Sequence, residues 1–536
     1  MVENLLDVLV VGAGPVGLFC ANELIRHGLN CRIIDKKTTL SDKSKALGIH
    51  IRTLDVMADC GFIDQVLTQG HQVDGALFKV EDKQLADISF AALKANYPFL
   101  IDLPQDQTEQ ILNQGLLNKG LTVEWQTELT SIEQTTNNIT ALIKHNNGNV
   151  EKVTASWIIA CDGSHSTLRE LVGAKFIGDN YKQTWWLADL FIDWHLPQNK
   201  MIIYVSKEGP VACFPIGEKR YRLVMTAPEE LSGKTPALTE IEQVFRKRCG
   251  DEKATLSNPL WISQFGINHR QIDNYRHNQV FFAGDAAHVH SPMGGQGLNT
   301  GIQDIYNLVW KLALVKKGIA KNNLLDSYQL ERHPVGKEVL KKTGIMTHMI
   351  LLKNPLLIRL RNHLVKWLTS FATLRELIAG DLAELRISYD KSPIVKSLGK
   401  KIKLTAGTFP PDFFLMEAQT KEVKSLQAII RGTKHHLFLF AGDDQKQFPA
   451  LLKTASFASQ HLGSWVNVHL IISHENMIPD SFSVFIDDGE IHQRFALTQT
   501  AAIWIRPDKY IGLTQSPINQ EELGNYLQTY SNTLPL

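Results

Sequence analysis

The sequence is poor in cysteine, and the cysteines it has are not spaced to act together. Six are scattered at Cys20, Cys31, Cys60, Cys161, Cys213 and Cys249, with no C-x-x-C. Such a set builds neither a disulfide framework nor a zinc site, so no metal is expected and a reducing, cytoplasmic setting is. Charge of one sign is also lacking. A net charge of +1 over 536 residues gives no electrostatic footprint for nucleic acid. No uninterrupted apolar run of about 18 residues occurs, so no integral membrane segment is expected. Met1 is followed by Glu3 and Asp7, not by a basic and then apolar leader, so no secretory signal is expected. What remains is a globular composition, 44% hydrophobic and 21% charged, in a chain too long for one core.

What the chain does have is glycine at the ends of apolar strands, three times. The Leu5–Val11 run reads as a buried parallel strand. It ends in Gly12-Ala13-Gly14-Pro15-Val16-Gly17, a G-x-G-x-x-G turn into a helix that Gly28 closes. A second strand, Cys31–Asp35, ends in an acid 18 residues past Gly17, the spacing at which a carboxylate meets an adenosine ribose. Ser156–Ala160 is another buried strand and runs into Asp162-Gly163. Asp162 either caps the following helix or faces a cofactor pyrophosphate. The third strand, Val280–Ala283, leads into Gly284-Asp285 and on to Ser291-Pro292-Met293-Gly294-Gly295-Gln296-Gly297-Leu298-Asn299-Thr300-Gly301, after which Ile302, Ile305, Leu308, Val309 and Leu312 recur at helical spacing. Unpaired N–H groups at that helix start favour negative charge. Asp285 can accept hydrogen bonds from sugar-like hydroxyls. A ligand with a polyol chain and a ring that becomes anionic fits this loop, and a flavin has both.

The other segments supply walls and attachments. Residues 44–55 read as a solvated helix face, with a basic contact to a pyrophosphate as the alternative. Residues 71–99 read as strands of an inserted sheet. Leu103-Pro104 opens a helix with Asp106 or Thr108 as cap candidates, and Asn146-Asn147-Gly148 reads as a hairpin turn. Residues 176–270 read as a sheet walling a pocket, with Trp185, Trp186, Phe214, Pro215 and Phe265 as available lining. Residues 324–342 read as helix, turn and helix around Pro334. Residues 345–390 read as amphipathic helices whose apolar faces pack against a domain or a second subunit, which leaves a homodimer open. After a boundary near 392–407, strands at His436–Phe440, Val466–Ile472, Phe482–Ile486 and Ala501–Ile505 and a helix from Glu521 make a small α/β domain.

The order of the three motifs, followed by Leu325-x-x-Tyr328-x-x-Glu331-Arg332-His333-Pro334, resembles the class A FAD-dependent aromatic hydroxylases over about residues 5–345. The tail, with Ile505-Arg506-Pro507-Asp508-Lys509-Tyr510, resembles that of the phenol hydroxylase branch. The resemblance implies an α/β chain: a Rossmann-type FAD-binding domain with an inserted β-sheet substrate domain and a C-terminal thioredoxin-like domain. The parts fall at 1–175 and 272–345 for the FAD domain, 176–271 for the substrate sheet, 346–400 for a helical connector and 401–536 for the tail. The tail lacks C-x-x-C, so no redox role is implied for it.

The resemblance also assigns roles. Gly12, Gly14 and Gly17, with Pro15 and Val16 in the same turn, take the ADP pyrophosphate of FAD; Asp35 takes the ribose, with Lys36 beside it. Lys45 stands where the family usually has arginine, keeping the charge without the planar fork. Arg52 and Gln107 match positions near the phosphates and ribityl chain. Asp162 and Gly163 belong to a motif linked with FAD and NADPH. Gly284 and Asp285 hold the ribityl chain; Pro292, Gly294, Gly295 and Gly297 lie along the isoalloxazine, and the Leu298 and Asn299 amides lie near its N1–C2=O edge. No catalytic base is assigned, and His288 and His290 read as packing. The implied activity is NAD(P)H- and O2-dependent hydroxylation of a phenolic or polycyclic aromatic through a flavin C4a-hydroperoxide. The alternatives are another flavin enzyme on this fold, a halogenase or reductase, and a non-catalytic flavoprotein that binds aromatic compounds.

Overall fold

The computed structural model describes residues 5–42, 44, 46–291, 294–442, 447–472, 482–487 and 489–530. Its first sheet is built on three parallel neighbours. Leu6–Val11 lies between Cys31–Asp35 and Val150–Ala160, and Val280–Phe282 lies beyond the last. They are mainly apolar where they pair, because both faces of the sheet are covered there. The register aligns Val11 with Ile34 and Ala160, and Ala160 with Phe282. Four carboxyl ends therefore finish on one edge. That alone brings together motifs at residues 12, 162 and 284.

The second sheet is almost wholly antiparallel. Its order is His288–Val289, Thr255–Ile272, Phe176–Asp193, Arg220–Thr226, Gly209–Gly217, Lys200–Ser206, Gly75–Val80 and Lys83–Ser89. The strands from the 71–99 segment join through one parallel pairing, Lys200–Ser206 with Gly75–Val80. A helix, Leu238–Cys249, interrupts the run read as strands. Ile241, Phe245 and Cys249 bury one face of it against the sheet. The third sheet holds Lys396–Gly399, Ile511–Ser516, Ala501–Ile505, His435–Phe440, Val466–Ile472, Ser483–Ile486, Phe414–Glu417 and Val423–Ser425. The segment read as a boundary is thus partly an edge strand, with Lys396 opposite Leu513.

Three local readings are corrected. Residues 324–342 hold no break: one helix runs from Asp326 to Ile350 through Pro334. A proline costs a helix one hydrogen bond and some strain. Here the buried Tyr328, Glu331 and Arg332 anchor one side, and Val335 and Val339 pack on the tail core on the other. The Ile51–Asp59 helix is not a solvated face, since Ile51, Arg52, Thr53 and Leu54 are all buried. The Gln105–Asn118 helix is capped by neither Asp106 nor Thr108. Its Gln105 N–H donates to Ser44 Oγ at 2.9 Å, from a different part of the chain.

The tail is pinned by buried charge. Arg506 donates to both oxygens of Glu331, at 2.6 and 2.9 Å, and pairs with Asp508. Glu331 also accepts from Lys311, Asn307 and Ser392 at 2.7–2.8 Å. Burial pushes the Glu331 carboxyl up, but Arg506 and Lys311 outweigh it and hold it below its ordinary value. Burial pulls Lys311 down to about 8. Arg506→Met should cost about 3–5 kcal/mol, because it leaves Glu331 and Asp508 underpaired in the interior. A lower urea midpoint and faster proteolysis in the segment before the tail are the readouts.

Candidate active site

The carboxyl edge of the parallel sheet opens into a cleft of about 830 Å³ that reaches the face of the antiparallel sheet. Gly12, Gly14, Pro15, Val16, Asp35, Lys36, Asp162, Gly163, Asp285, Gly294, Gly295, Gly297 and Leu298 line it. The three glycines of the first turn are needed for three reasons. Gly12 has φ +102°, and a Cβ there would lie 2.3 Å from the Cys161 carbonyl oxygen. A Cβ on Gly17 would lie 1.8 Å from the Gly12 carbonyl oxygen, so this glycine lets the helix sit on the strand. Gly14 has an extended backbone that any residue adopts, and a Cβ there would meet no protein atom within 4 Å. It faces the cleft. Turn, close approach and helix packing are the three jobs of a dinucleotide fingerprint, the middle one being approach to a pyrophosphate. The cradle therefore fits FAD on the geometry of the chain itself.

Asp35 is set by the same turn. Its Oδ2 accepts from Ala13 N at 2.7 Å and its Oδ1 from Lys37 N at 2.9 Å. Each oxygen keeps a lone pair for ribose hydroxyls. Opposite, the 20-residue helix Gly297–Lys316 points its N-terminus at the cleft, and Gln296 provides no side-chain cap. The macrodipole favours negative charge there. Asn299 stands behind the loop. It donates to the Gly48 and Gly295 carbonyls and accepts from His50 N, all at 2.8–2.9 Å. Gly284 likewise packs under the loop, against Val16. Asp162 Oδ2 accepts from Leu168 N at 3.3 Å, so it serves the next helix while lining the cleft.

Under the third motif lies a buried carboxylate. Asp304 accepts from Gly284 N at 3.1 Å, His288 Nε2 at 2.8 Å and Arg332 Nε at 2.8 Å. Burial pushes its carboxyl up, but Arg332 and His288 outweigh that and hold it below its ordinary value. His288 is thus a structural partner. Burial lowers His290 to about 4, so it is neutral at physiological pH.

Some expected residues lie elsewhere. Arg52 does not reach the cleft. Its guanidinium stacks 3.2 Å above the Phe409 ring of the tail and donates to Asp55 at 3.1 Å. It borders a separate cavity of about 280 Å³ between the FAD domain and the tail. Gln107 is displaced by Gln105, which lines the cleft. Lys45 and Pro292 lie outside the described residues. Of the aromatics, Phe214 and Phe265 line the cleft, whereas Trp185 and Trp186 are buried in the cores on either side of the sheet.

The sequence reading missed His50, Trp261, Arg222 and Asp102, which also line the cleft. Asp102 ends the apolar strand Leu100–Asp102. It is 1% exposed, and its Oδ2 is buried without a hydrogen-bond partner among the described residues. Burial raises it to about 8, with Arg222 opposing the shift. Arg222 is committed mainly to Asp189, in a two-pronged pair at 2.8 and 2.9 Å. A lone acid closing an apolar strand was the available signal.

Three outcomes follow from this geometry. Gly14→Ala should leave the melting temperature of the FAD-free protein unchanged and weaken FAD binding, while Gly17→Ala should destabilise the fold itself; calorimetry and flavin titration separate them. Asp285→Ala should weaken FAD by roughly ten- to a hundred-fold, the worth of a charge-assisted hydrogen bond. Asp102 shifts from an ordinary 3.8 to about 8 on folding, so the folded state holds its proton across that window while the unfolded state has lost it. Stability is then lost as pH rises towards 8. Asp102→Asn should flatten this fall, seen in melting temperatures taken between about pH 5 and 9.

Known proteins resemble this chain over most of its length. A family model described as "FAD binding domain" matches residues 5–343. The 6-methylpretetramide 4-monooxygenase of Streptomyces rimosus is 32% identical over 523 residues, covering 94% of this chain and 90% of that one. The pentachlorophenol 4-monooxygenase of Sphingobium chlorophenolicum is 33% identical over 360 residues, covering 64% of this chain and 65% of that one. Among solved structures, the anhydrotetracycline hydroxylase from Streptomyces rimosus superposes with a TM-score of 0.78 at 26% identity, covering 99% of both chains. The matched segment contains all three strand-end motifs, and the chain belongs to the FAD-binding-domain family as a flavin-dependent aromatic monooxygenase.

Proposed function

We propose that this chain hydroxylates a phenolic or polycyclic aromatic compound with dioxygen, drawing electrons from NADH or NADPH. The observation that carries the reading is the continuity of the cleft: one space joins the Gly14 cradle to a wall of Leu187, Met201, Phe214, Val224, Trp261 and Phe265. Such a wall suits a flat, largely apolar substrate. The relative named for 6-methylpretetramide supports a polycyclic choice. FAD, when bound, supplies the oxygen chemistry, as cofactors do.

The chain's own residues supply the rest. The Gly12–Gly17 turn and Asp35 bind and orient the ADP half. The Gly284–Asp285 loop and the helix start at Gly297 hold the other half, and the helix dipole favours negative charge on it. The apolar wall keeps water from the reacting centre. Burial holds Asp102 protonated at neutral pH, and Arg222 beside it opposes that shift. The partition drawn above, with FAD domain, substrate sheet, helical connector and tail, is part of this proposal. We read the tail as thioredoxin-like from its β-α-β unit, hairpin and final helix, acting as a brace.

The test is a panel of phenols and polycyclic aromatics scored by NAD(P)H consumption, followed by mass spectrometry with labelled dioxygen. A true substrate should accelerate NAD(P)H oxidation and carry one oxygen from dioxygen. Label arriving from water instead would end the monooxygenase reading for this chain.

A further inference from the structure

Between Glu338 and Glu376 the chain has no acidic residue, yet it carries Lys341, Lys342, Lys353, Arg359, Arg361, Lys366 and Arg375. The rest of the molecule nearly balances this charge, since the net is only +1. The helix Pro355–Leu368 sits in the middle of this stretch. Its apolar side chains are not buried. Leu356 is 73% exposed, Leu360 65% and Trp367 58%; Leu357 and Leu364 are exposed as well. At about 100° per residue these five fall within an arc of roughly 100°. Arg359, His363 and Lys366 occupy the adjoining exposed arc. Arg361 is on the inward side, donating to the Met349 carbonyl at 2.8 Å. Phe371 extends the stripe, its ring edge-on to Trp367 at 5.3 Å.

A soluble helix normally turns such a stripe inwards. Here the stripe faces out, with cations along its border and a tryptophan near its end. That is the composition of a helix lying in a membrane interface, its apolar face in the acyl boundary and its cations among anionic headgroups. Self-association suits it less well. A two-fold contact places the same patch on both sides, so the cations bordering the stripe of one copy would face a patch that is bordered by cations as well. The acids that do approach this region are taken: Glu229 by Lys353 at 3.1 Å, and Asp381 by Lys342 at 3.4 Å. Among the described residues no helix is long and apolar enough to cross a membrane, so attachment would be to the surface.

We propose that the Pro355–Leu368 helix docks this protein onto anionic lipid surfaces. The position is useful. Ala379 of the next helix, Ala372–Leu382, shares an apolar cluster with Phe90 and Leu100, and Leu100 lines the cleft. The docking does not depend on a substrate and is tested without one.

The experiment is flotation of the full chain with vesicles of phosphatidylglycerol and phosphatidylcholine, against vesicles of phosphatidylcholine alone. Binding is expected only to the anionic vesicles, and salt should weaken it. The pair Leu360→Glu with Trp367→Glu, and the pair Arg359→Glu with Lys366→Glu, should each reduce it by about tenfold or more. All four side chains are exposed, so melting and flavin content should match the wild type; if a pair fails that check, Trp367→Ser alone replaces it. Absence of binding to the anionic vesicles overturns the proposal, as does binding that neither pair weakens. A dimer in sedimentation velocity that the Leu360→Glu, Trp367→Glu pair dissolves, without vesicle binding, would assign the stripe to a second copy instead.

Discussion

The structure turns on one buried carboxylate. Asp304 is fully enclosed and touches the loop after the third strand, a histidine of that loop and an arginine of the long helix. A carboxylate is tolerated in such a place only when fully paired. Its three donors are therefore fixed relative to one another, and so are the elements that carry them. Arg332 extends the constraint to the Thr300 carbonyl and to the Tyr389 hydroxyl. The neighbouring Glu331 does the same in the other direction, towards Arg506 and the tail. Two adjacent residues on one helix thus hold the loop after the third strand on one side and the C-terminal sheet on the other.

The strand-end motifs were legible because their physics is local. A parallel strand covered on both faces must be an apolar run, and a ligand approaching its end demands glycine. The helix after Gly297 was legible from its period. The residues misplaced by the sequence reading depend on helix phase or on distant chain. Gln105 and Gln107 differ by about 200° around one helix, and only the fold decides which faces the cleft. Arg52 is held by Phe409, more than 350 residues away, and no local pattern announces that contact.

The same holds for the antiparallel sheet and the long helix. Trp185 and Trp186 point to opposite faces, as successive strand residues must; with a packed core on each face, both are buried. Pro334 is a local stop signal, and the anchors that override it are long-range. Asp102 lay in plain view as an acid in an apolar strand. Its meaning came only from its place in the cleft, opposite an arginine that already has a partner.

The three motif-bearing strands of the parallel sheet begin at residues 6, 150 and 280. On a ribosome adding about 5–20 residues per second, tens of seconds separate emergence of the first glycine turn from emergence of the third. The antiparallel sheet is complete in strand content only at the same late stage, because its outermost pairing, Arg270 with Val289, needs both. Throughout that interval the nascent chain presents a half-built cradle with no floor beneath it. A complete cradle is then a late product of synthesis rather than a nucleus for it, because its three glycine turns coexist only once the third has emerged.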